Sequence, residues 1–280
     1  MSTSKHALGS TSDKRSAFRK LHEAGSFVLP NPWDVGSALY LQSLGFKALA
    51  SSSAGFAWSR GRADGALMRE QVLAHLKELV SATALPINAD FENGFGQDAD
   101  GVAESVRLAV ETGVAGLSIE DSSGDPSQPI FEVATAVDRL RAARAAIDRT
   151  GTETLLVGRA ENFLHGRPDL SNTIARLKAY ADAGADCLYA PGIRTTEEIS
   201  AVVGAVAPKP VNVLIGWSSE LTLDALAALG VRRVSVGGAL ARNAWGGFIA
   251  AAKSLAEGRF DGFTGAPPVK ELNALFREPR

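Results

Sequence analysis

Eight short apolar runs, near residues 27–31, 46–51, 86–90, 116–120, 154–159, 187–190, 211–215 and 232–236, punctuate this chain. Each is almost continuously hydrophobic rather than alternating, the pattern of strands covered on both faces. Helical periodicity fills the gaps and predicts helices over 33–44, 68–82, 100–112, 133–150, 171–183, 195–206, 219–229 and 239–257. A degenerate phrase recurs at the junctions: Ser43-Leu44-Gly45, Glu111-Thr112-Gly113, Asp182-Ala183-Gly184 and Ala228-Leu229-Gly230 each close a helix on glycine before the next apolar run. Ser171, Thr195 and Ser219 stand at expected N-caps, and Glu198 completes a capping box with Thr195. Eight βα units predict an α/β fold closed into a (β/α)8 TIM barrel, with an open doubly wound sheet as the alternative.

This repetition assigns residues 1–257 to one domain with a polar N-terminal extension, Met1 to Ser16, expected to be flexible. Residues 258–280 form a tail with Gly-Ala-Pro-Pro and a short helical pattern at 269–276, long enough to cover the barrel or reach a neighbouring subunit. The chain has 280 residues, 45% hydrophobic and 21% charged, enough for one large core. A net charge of −2 leaves no basic excess for nucleic acid or an anionic membrane surface, so a small molecule is the expected partner. Cys187 is the single cysteine and forms no intramolecular disulfide, and the N-terminus lacks the apolar core of a secretory signal. No apolar run approaches the roughly 18 residues of a spanning helix, so a cytoplasmic location is expected.

Acidic and small polar residues gather where these runs end, the position that carries chemistry in a parallel barrel. Asp90 and Glu92 follow the third run, and the turn Asn93-Gly94-Phe95-Gly96 is glycine-rich enough to rotate the second acid. Glu120 and Asp121 end the fourth run, on a strand about 4.8 Å away. Carboxylates so crowded repel unless a cation intervenes, and oxygen ligands without histidine favour Mg²⁺ or Mn²⁺. The competing reading makes them helix caps or rim ion pairs. Arg159, after the fifth run, either holds a substrate carboxylate or bridges to Glu161 or Glu120. Ser51-Ser52-Ser53 ends the second run with small residues that suit an anion or a tight turn, and Asp64 lies in a polar loop as an outer carboxylate or a turn residue. Gly237-Gly238 before the last helix is a weak phosphate-site signal. His165, after the fifth run, is the only histidine placed for a hydrolase triad and reads as an exposed loop residue.

Four ordered segments carry a resemblance: Phe46 to Gly55, Asn88 to Gly96, Gly116 to Asp121, and Gly158 to Asn162. Over about residues 26–250 the chain resembles the isocitrate lyase and phosphoenolpyruvate mutase superfamily. The resemblance implies a modified (β/α)8 barrel, a tetrameric dimer of dimers with its eighth helix exchanged between subunits, Mg²⁺, and a small anionic 2-oxo acid or its enolate. It implies Asp90, Glu92 and Glu120 at the metal, Asp64 supporting the metal's water shell, Ser52 and the Ser53 backbone on the oxo-acid carboxylate, Arg159 on the substrate, and Asn212 as a further substrate contact.

The segment Ser122 to Pro129 departs from the superfamily's lyases, whose loop here carries Lys-Lys/Arg-Cys-Gly-His, and it lacks the mutase lysine. The expected activity is a Mg²⁺-dependent carbon–carbon lyase or decarboxylase acting on small oxo- or hydroxy-dicarboxylates, with Glu120, Arg159 and Asp64 in catalytic roles. Phosphonopyruvate hydrolysis is the chief alternative. A non-catalytic oxo-acid-binding barrel is the alternative of another class.

Overall fold

The computed structural model describes residues 9–277. Its order is α1 (Thr11–Leu21), β1 (Phe27–Leu29), α2 (Val35–Ser43), β2 (Leu49–Ala50), α3 (Ser53–Ser59), α4 (Arg69–Ala82), β3 (Ile87–Asp90), α5 (Ala99–Glu111), β4 (Gly116–Glu120), α6 (Val133–Arg149), β5 (Leu155–Arg159), α7 (Leu170–Asp182), β6 (Cys187–Tyr189), α8 (Thr196–Val206), β7 (Val211–Leu214), α9 (Leu223–Ala228), β8 (Arg233–Ser235), α10 (Ala239–Ala256), a 3-10 turn (Asp261–Phe263) and α11 (Val269–Leu275). All strands are parallel, in the order β1-β8-β7-β6-β5-β4-β3-β2. Between β1 and β2 the Ala50 amide donates to the Pro30 carbonyl at 3.0 Å, and Asn31 Nδ2 donates to the Ser51 carbonyl at 2.9 Å. These bonds bring the ends of the sheet together into a nearly closed barrel.

Strand alternation sorts the side chains. Ala89, Leu117, Leu156, Leu188 and Val213 face the helices in the main core, whereas Val157, Cys187 and Tyr189 pack together in a separate cluster within the barrel. The predicted helix between residues 195 and 206 begins with the expected Thr195–Glu198 capping box. The other two N-caps differ from the pattern. Asp169 caps α7 and takes the Ser171 hydroxyl as a second donor, while Thr222 caps α9 and Ser219 accepts the Leu221 amide in the preceding turn. A carboxylate or hydroxyl placed nearer the first turn wins the free helix amides.

The N-terminal segment also corrects an expectation: from Thr11 it is helix α1, opened by a Ser10–Asp13 capping box. Phe18 is fully buried against Phe27, Ala48, Ala115 and Leu155, residues at or just before strand starts, so α1 closes the barrel's N-terminal end. Gly116 makes this fit, because a Cβ there would lie 2.8 Å from the Phe18 ring. Lys14 Nζ donates to the Val80 and Thr83 carbonyls at 2.8 and 2.6 Å, and Arg15 donates to those of Val114 and Val110 at 3.0 and 2.7 Å. Polar composition hid a docked helix, since its cations serve carbonyls at neighbouring helix and loop ends. The α3 turn, read from sequence as a small-residue segment, is the second unpredicted helix.

At the opposite extreme, α10 buries only Ala241. Phe248 is 62% exposed and stacks edge-on against Trp245, and Ile249 and Leu255 are exposed as well. The 3-10 turn folds back on α10, and Phe276 beyond α11 approaches Gly36 of α2. Between α2, β1, α10 and α11 lies a mostly apolar groove of 1090 Å³.

Candidate active site

The barrel's C-terminal mouth is organised by one guanidinium. Parallel pairing sets Glu120 beside Arg159, Arg159 beside Tyr189, and Tyr189 beside Asn212. Arg159 Nη1 lies 3.1 Å from Asp90 Oδ1 and 3.0 Å from Glu120 Oε2, its Nε donates to Glu161, and its Cζ sits 5.2 Å from the centre of the Tyr189 ring. Burial alone would depress the Arg159 pKa, but Glu120, Glu161 and Asp90 hold it charged and well above the usual value. The ion pairs offered as Arg159's alternative role are therefore present, with Asp90 added.

Asp90 is fixed by the segment after β2. Its amide donates to Ser51 Oγ at 2.8 Å, and its Oδ2 accepts the Ser53 amide at 2.9 Å. Ser52 is buried and caps α3, its Oγ accepting the Gly55 amide at 3.1 Å. In this arrangement the Ser53 amide serves Asp90 and the Ser52 hydroxyl serves a helix, so both are engaged inside the protein. Glu92 adopts φ 47°, the left-handed rotation that the glycine-rich turn foreshadowed. Burial, then the charges of Asp90 and Asp64, push the Glu92 carboxyl up to about 7, against a smaller pull from Arg159. Asp64, on an exposed loop, is raised by desolvation and then by Asp90, with Ser53 and Arg159 opposing. Glu120 is raised well above the usual range by burial, and by Glu161, Asp90 and Glu92, against Arg159.

Asp90, Glu92, Glu120 and Asp64 thus share one neighbourhood, but they surround a cation. Among the described residues, no three acidic, histidine or cysteine side chains form a ready-made ligand shell. The donor chemistry nevertheless suits a hard divalent cation: the groups are all oxygens, and Glu92, Asp64 and Glu120 carry a mutual repulsion that added positive charge relieves.

Neighbouring polar residues support this mouth from behind. Asp121, 1% exposed, faces away from the acids: Oδ2 accepts from Tyr180 Oη at 2.6 Å and Arg176 Nη1 at 3.0 Å, and Oδ1 accepts the Glu161 amide at 2.7 Å. It ties β4 to α7 and to the loop carrying Glu161. Asn212 is fully buried, its Oδ1 accepting from Arg233 Nε and its Nδ2 donating to Ser235 Oγ, both at 2.9 Å. Sequence reasoning missed Tyr189, which reads as one more apolar strand residue. The structure places its ring against Arg159 and its hydroxyl at Ser235, with burial pushing its pKa up to about 12. The departing segment 122–129 is a compact turn, closed by an antiparallel bridge between Ser122 and Ile130 and by the Ser123 amide donating to the Pro129 carbonyl at 3.0 Å.

A family model described as phosphoenolpyruvate phosphomutase matches residues 18–256. The chain belongs to this family. Among curated relatives, the uncharacterized protein Rv1998c of Mycobacterium tuberculosis is 32% identical over 223 residues, 79% of this chain and 81% of that protein. The 2-methylisocitrate lyase of Escherichia coli is 32% identical over 164 residues, 56% of this chain and 54% of the lyase. An oxaloacetate decarboxylase of Paraburkholderia xenovorans is 29% identical over 238 residues, 81% of this chain and 76% of the decarboxylase. A crystal structure from Burkholderia cenocepacia J2315, provisionally described as a lyase/mutase, is 49% identical with a TM-score of 0.93, covering 96% of this chain and 98% of that one. An oxaloacetate acetylhydrolase bound to its product oxalate is 26% identical with a TM-score of 0.84, covering 95% of this chain and 94% of that one.

Proposed function

We propose that this phosphoenolpyruvate phosphomutase family member is a Mg²⁺-dependent carbon–carbon lyase or decarboxylase that cleaves a small oxo- or hydroxy-dicarboxylate through the enolate of a 2-oxo acid. The observation that carries the reading is the set of Asp90, Glu92, Glu120 and Asp64 about Arg159 at the barrel mouth. The relatives named for 2-methylisocitrate cleavage, oxaloacetate decarboxylation and oxaloacetate acetylhydrolysis support the substrate class. Asp90, with Glu92 and Glu120, would hold Mg²⁺, which supplies Lewis-acid polarisation of the substrate's oxo oxygen when bound. Arg159, released from part of its carboxylate contacts, would bind the substrate carboxylate with a planar fork, with the Tyr189 ring packed against its guanidinium. Ser53 and Ser51 hold Asp90 in place, and Glu161 keeps Arg159 oriented.

The groove of 1090 Å³ beside the exposed α10 supports exchange of that helix between copies, hence a homo-oligomer. Light scattering should then give a multiple of 29.3 kDa, and a mass of one chain would contradict the exchange. Residues 9–277 include no helix long and apolar enough to cross a membrane, and a small anionic oxo acid is the partner proposed.

The test is a substrate panel of oxaloacetate, phosphonopyruvate, 2-methylisocitrate and alkylated malates, followed by NMR with Mg²⁺ and with chelator. Turnover of a dicarboxylate that stops with chelator supports the reading, and chelator-insensitive turnover contradicts the metal's role. Phosphonopyruvate hydrolysis is the second reading, favoured by the family's description, and selective release of inorganic phosphate in the same panel would establish it instead.

A further inference from the structure

We propose that His165 and Ser122 form the proton-transfer pair of this site, delivering the proton that converts the enolate into the oxo-acid product; the inference rests on the enolate reading above. His165 Nε2 and Ser122 Oγ lie 3.2 Å apart. The bond joins two loops that leave the acid-bearing strands, since Ser122 follows Glu120 on β4 by two residues and His165 follows Arg159 on β5 by six. A third strand's loop secures the pair: Asn93 Nδ2, just beyond Glu92, donates to the Ser122 carbonyl at 3.1 Å. The His165 amide donates to the Glu161 carbonyl at 3.1 Å, and the Ser122–Ile130 bridge fixes the serine's own loop. Both side chains are half-buried, held by the scaffold yet open to solvent for reprotonation.

The other titratable groups of the mouth have partners of their own, Asp64 among them, whose carboxyl is held by Ser53 and the Gly65 amide beside Asp90. Asp90, Glu120 and Glu161 are paired with Arg159, and Glu92 belongs to the set that would hold the metal. Tyr189 is pushed up to about 12 by burial and is a poor donor near neutrality. His22 is buried at the opposite end beside Arg233, and His75 lies on α4 stacked on Phe56. Among the described residues, His165 is the imidazole that remains at the mouth, tied to the Glu161 loop by its amide bond. Imidazole is the side chain suited to exchange protons at neutral pH.

The step balances within the pair. The Ser122 hydroxyl gives its proton to C3 of the enolate as the enolate's π electrons form the C3–H bond and the C2 carbonyl is restored. The imidazolium Nε2–H simultaneously passes its proton to Ser122 Oγ. One negative and one positive charge disappear together, and neutral His165 is reprotonated from solvent.

The experiment follows hydrogen exchange at C3 of pyruvate and 2-oxobutanoate by NMR in D₂O with Mg²⁺, in parallel with calorimetric binding of oxalate, a planar mimic of the enolate. Wild type exchanges both acids and removes one prochiral hydrogen of 2-oxobutanoate. His165→Gln and Ser122→Ala each slow exchange about 100-fold and lose prochiral selectivity, and both bind oxalate within about twofold of wild type. Variants that bind oxalate and exchange with wild-type rate and selectivity overturn the pair while leaving the enolate reading intact. Parallel loss of oxalate affinity and exchange in both variants overturns it too, by making the pair structural. A wild-type protein that neither binds oxalate nor exchanges overturns the enolate reading and the pair with it.

Discussion

The two ends of this barrel use charge in opposite ways. At the N-terminal end Lys14 and Arg15 are buried, yet every contact named for them is a backbone carbonyl, and the neutral partners Asn212, Asn88 and His22 surround the Arg233 guanidinium. These cations complete hydrogen bonds that the fold leaves open, and burial lowers the pKa of each. At the C-terminal end, five carboxylates share one cluster with Arg159, and burial first, then neighbouring negative charge, raises Glu92, Asp64 and Glu120. One end is settled by the protein itself; the other keeps crowded negative charge that, on the proposed reading, a bound cation would relieve.

The largest effect expected from breaking this contrast is at the mouth. Asp90→Ala removes the acceptor of the Ser53 amide and one of the three carboxylate partners of Arg159, and kcat/KM for the panel substrate should fall by about 10³-fold or more, with little change in Tm. A comparable free energy at the other end should appear as stability instead. Phe18→Ala leaves a cavity under the barrel and should cost about 3–5 kcal/mol in denaturant unfolding, while kcat of the folded fraction is retained.

Acid should sharpen the comparison next. Burial, then the Arg233 charge, lowers His22 to about 3, and burial lowers His75 to about 4 against a raising pull from Asp34. The unfolded chain takes up these protons near pH 6.5 and the folded chain refuses them, so stability is full above that pH and declines as pH falls toward 4 and then 3. At pH 5 the loss is about 2 kcal/mol per histidine, measured as the shift in urea midpoint, and His22→Gln should remove its share of the slope. The smallest effect is Lys14→Met, which deprives two carbonyls of a donor and should cost about 1–2 kcal/mol with turnover unchanged.

What the sequence made legible follows from the physics of each region. The eight strands were readable because both faces of each are covered, leaving uninterrupted apolar runs, and most of the helices because they bury one face. Helix α1 was not, because Lys14 and Arg15 are buried through hydrogen bonds to carbonyls that no composition reveals. Helix α3 was hidden in Ser-Ser-Ser-Ala-Gly, where a cap and a turn use the same residues. At the mouth, strand ends exposed Asp90, Glu92, Glu120 and Arg159 to inspection. Which acid faces inward was not readable: Asp121 adjoins Glu120 in sequence, yet it turns toward Tyr180 and Arg176. Tyr189 was masked by its apolar neighbours, and the Ser122–His165 contact spans 43 positions that no local pattern connects.

Oxalate titration by calorimetry, with Mg²⁺ and with excess chelator, addresses the central claim most directly. The account predicts micromolar-range binding with Mg²⁺ that weakens at least 100-fold with chelator and is lost in Asp90→Ala, a difference of about 3 kcal/mol or more. Equal affinity with and without the metal, or unchanged binding in Asp90→Ala, would contradict it.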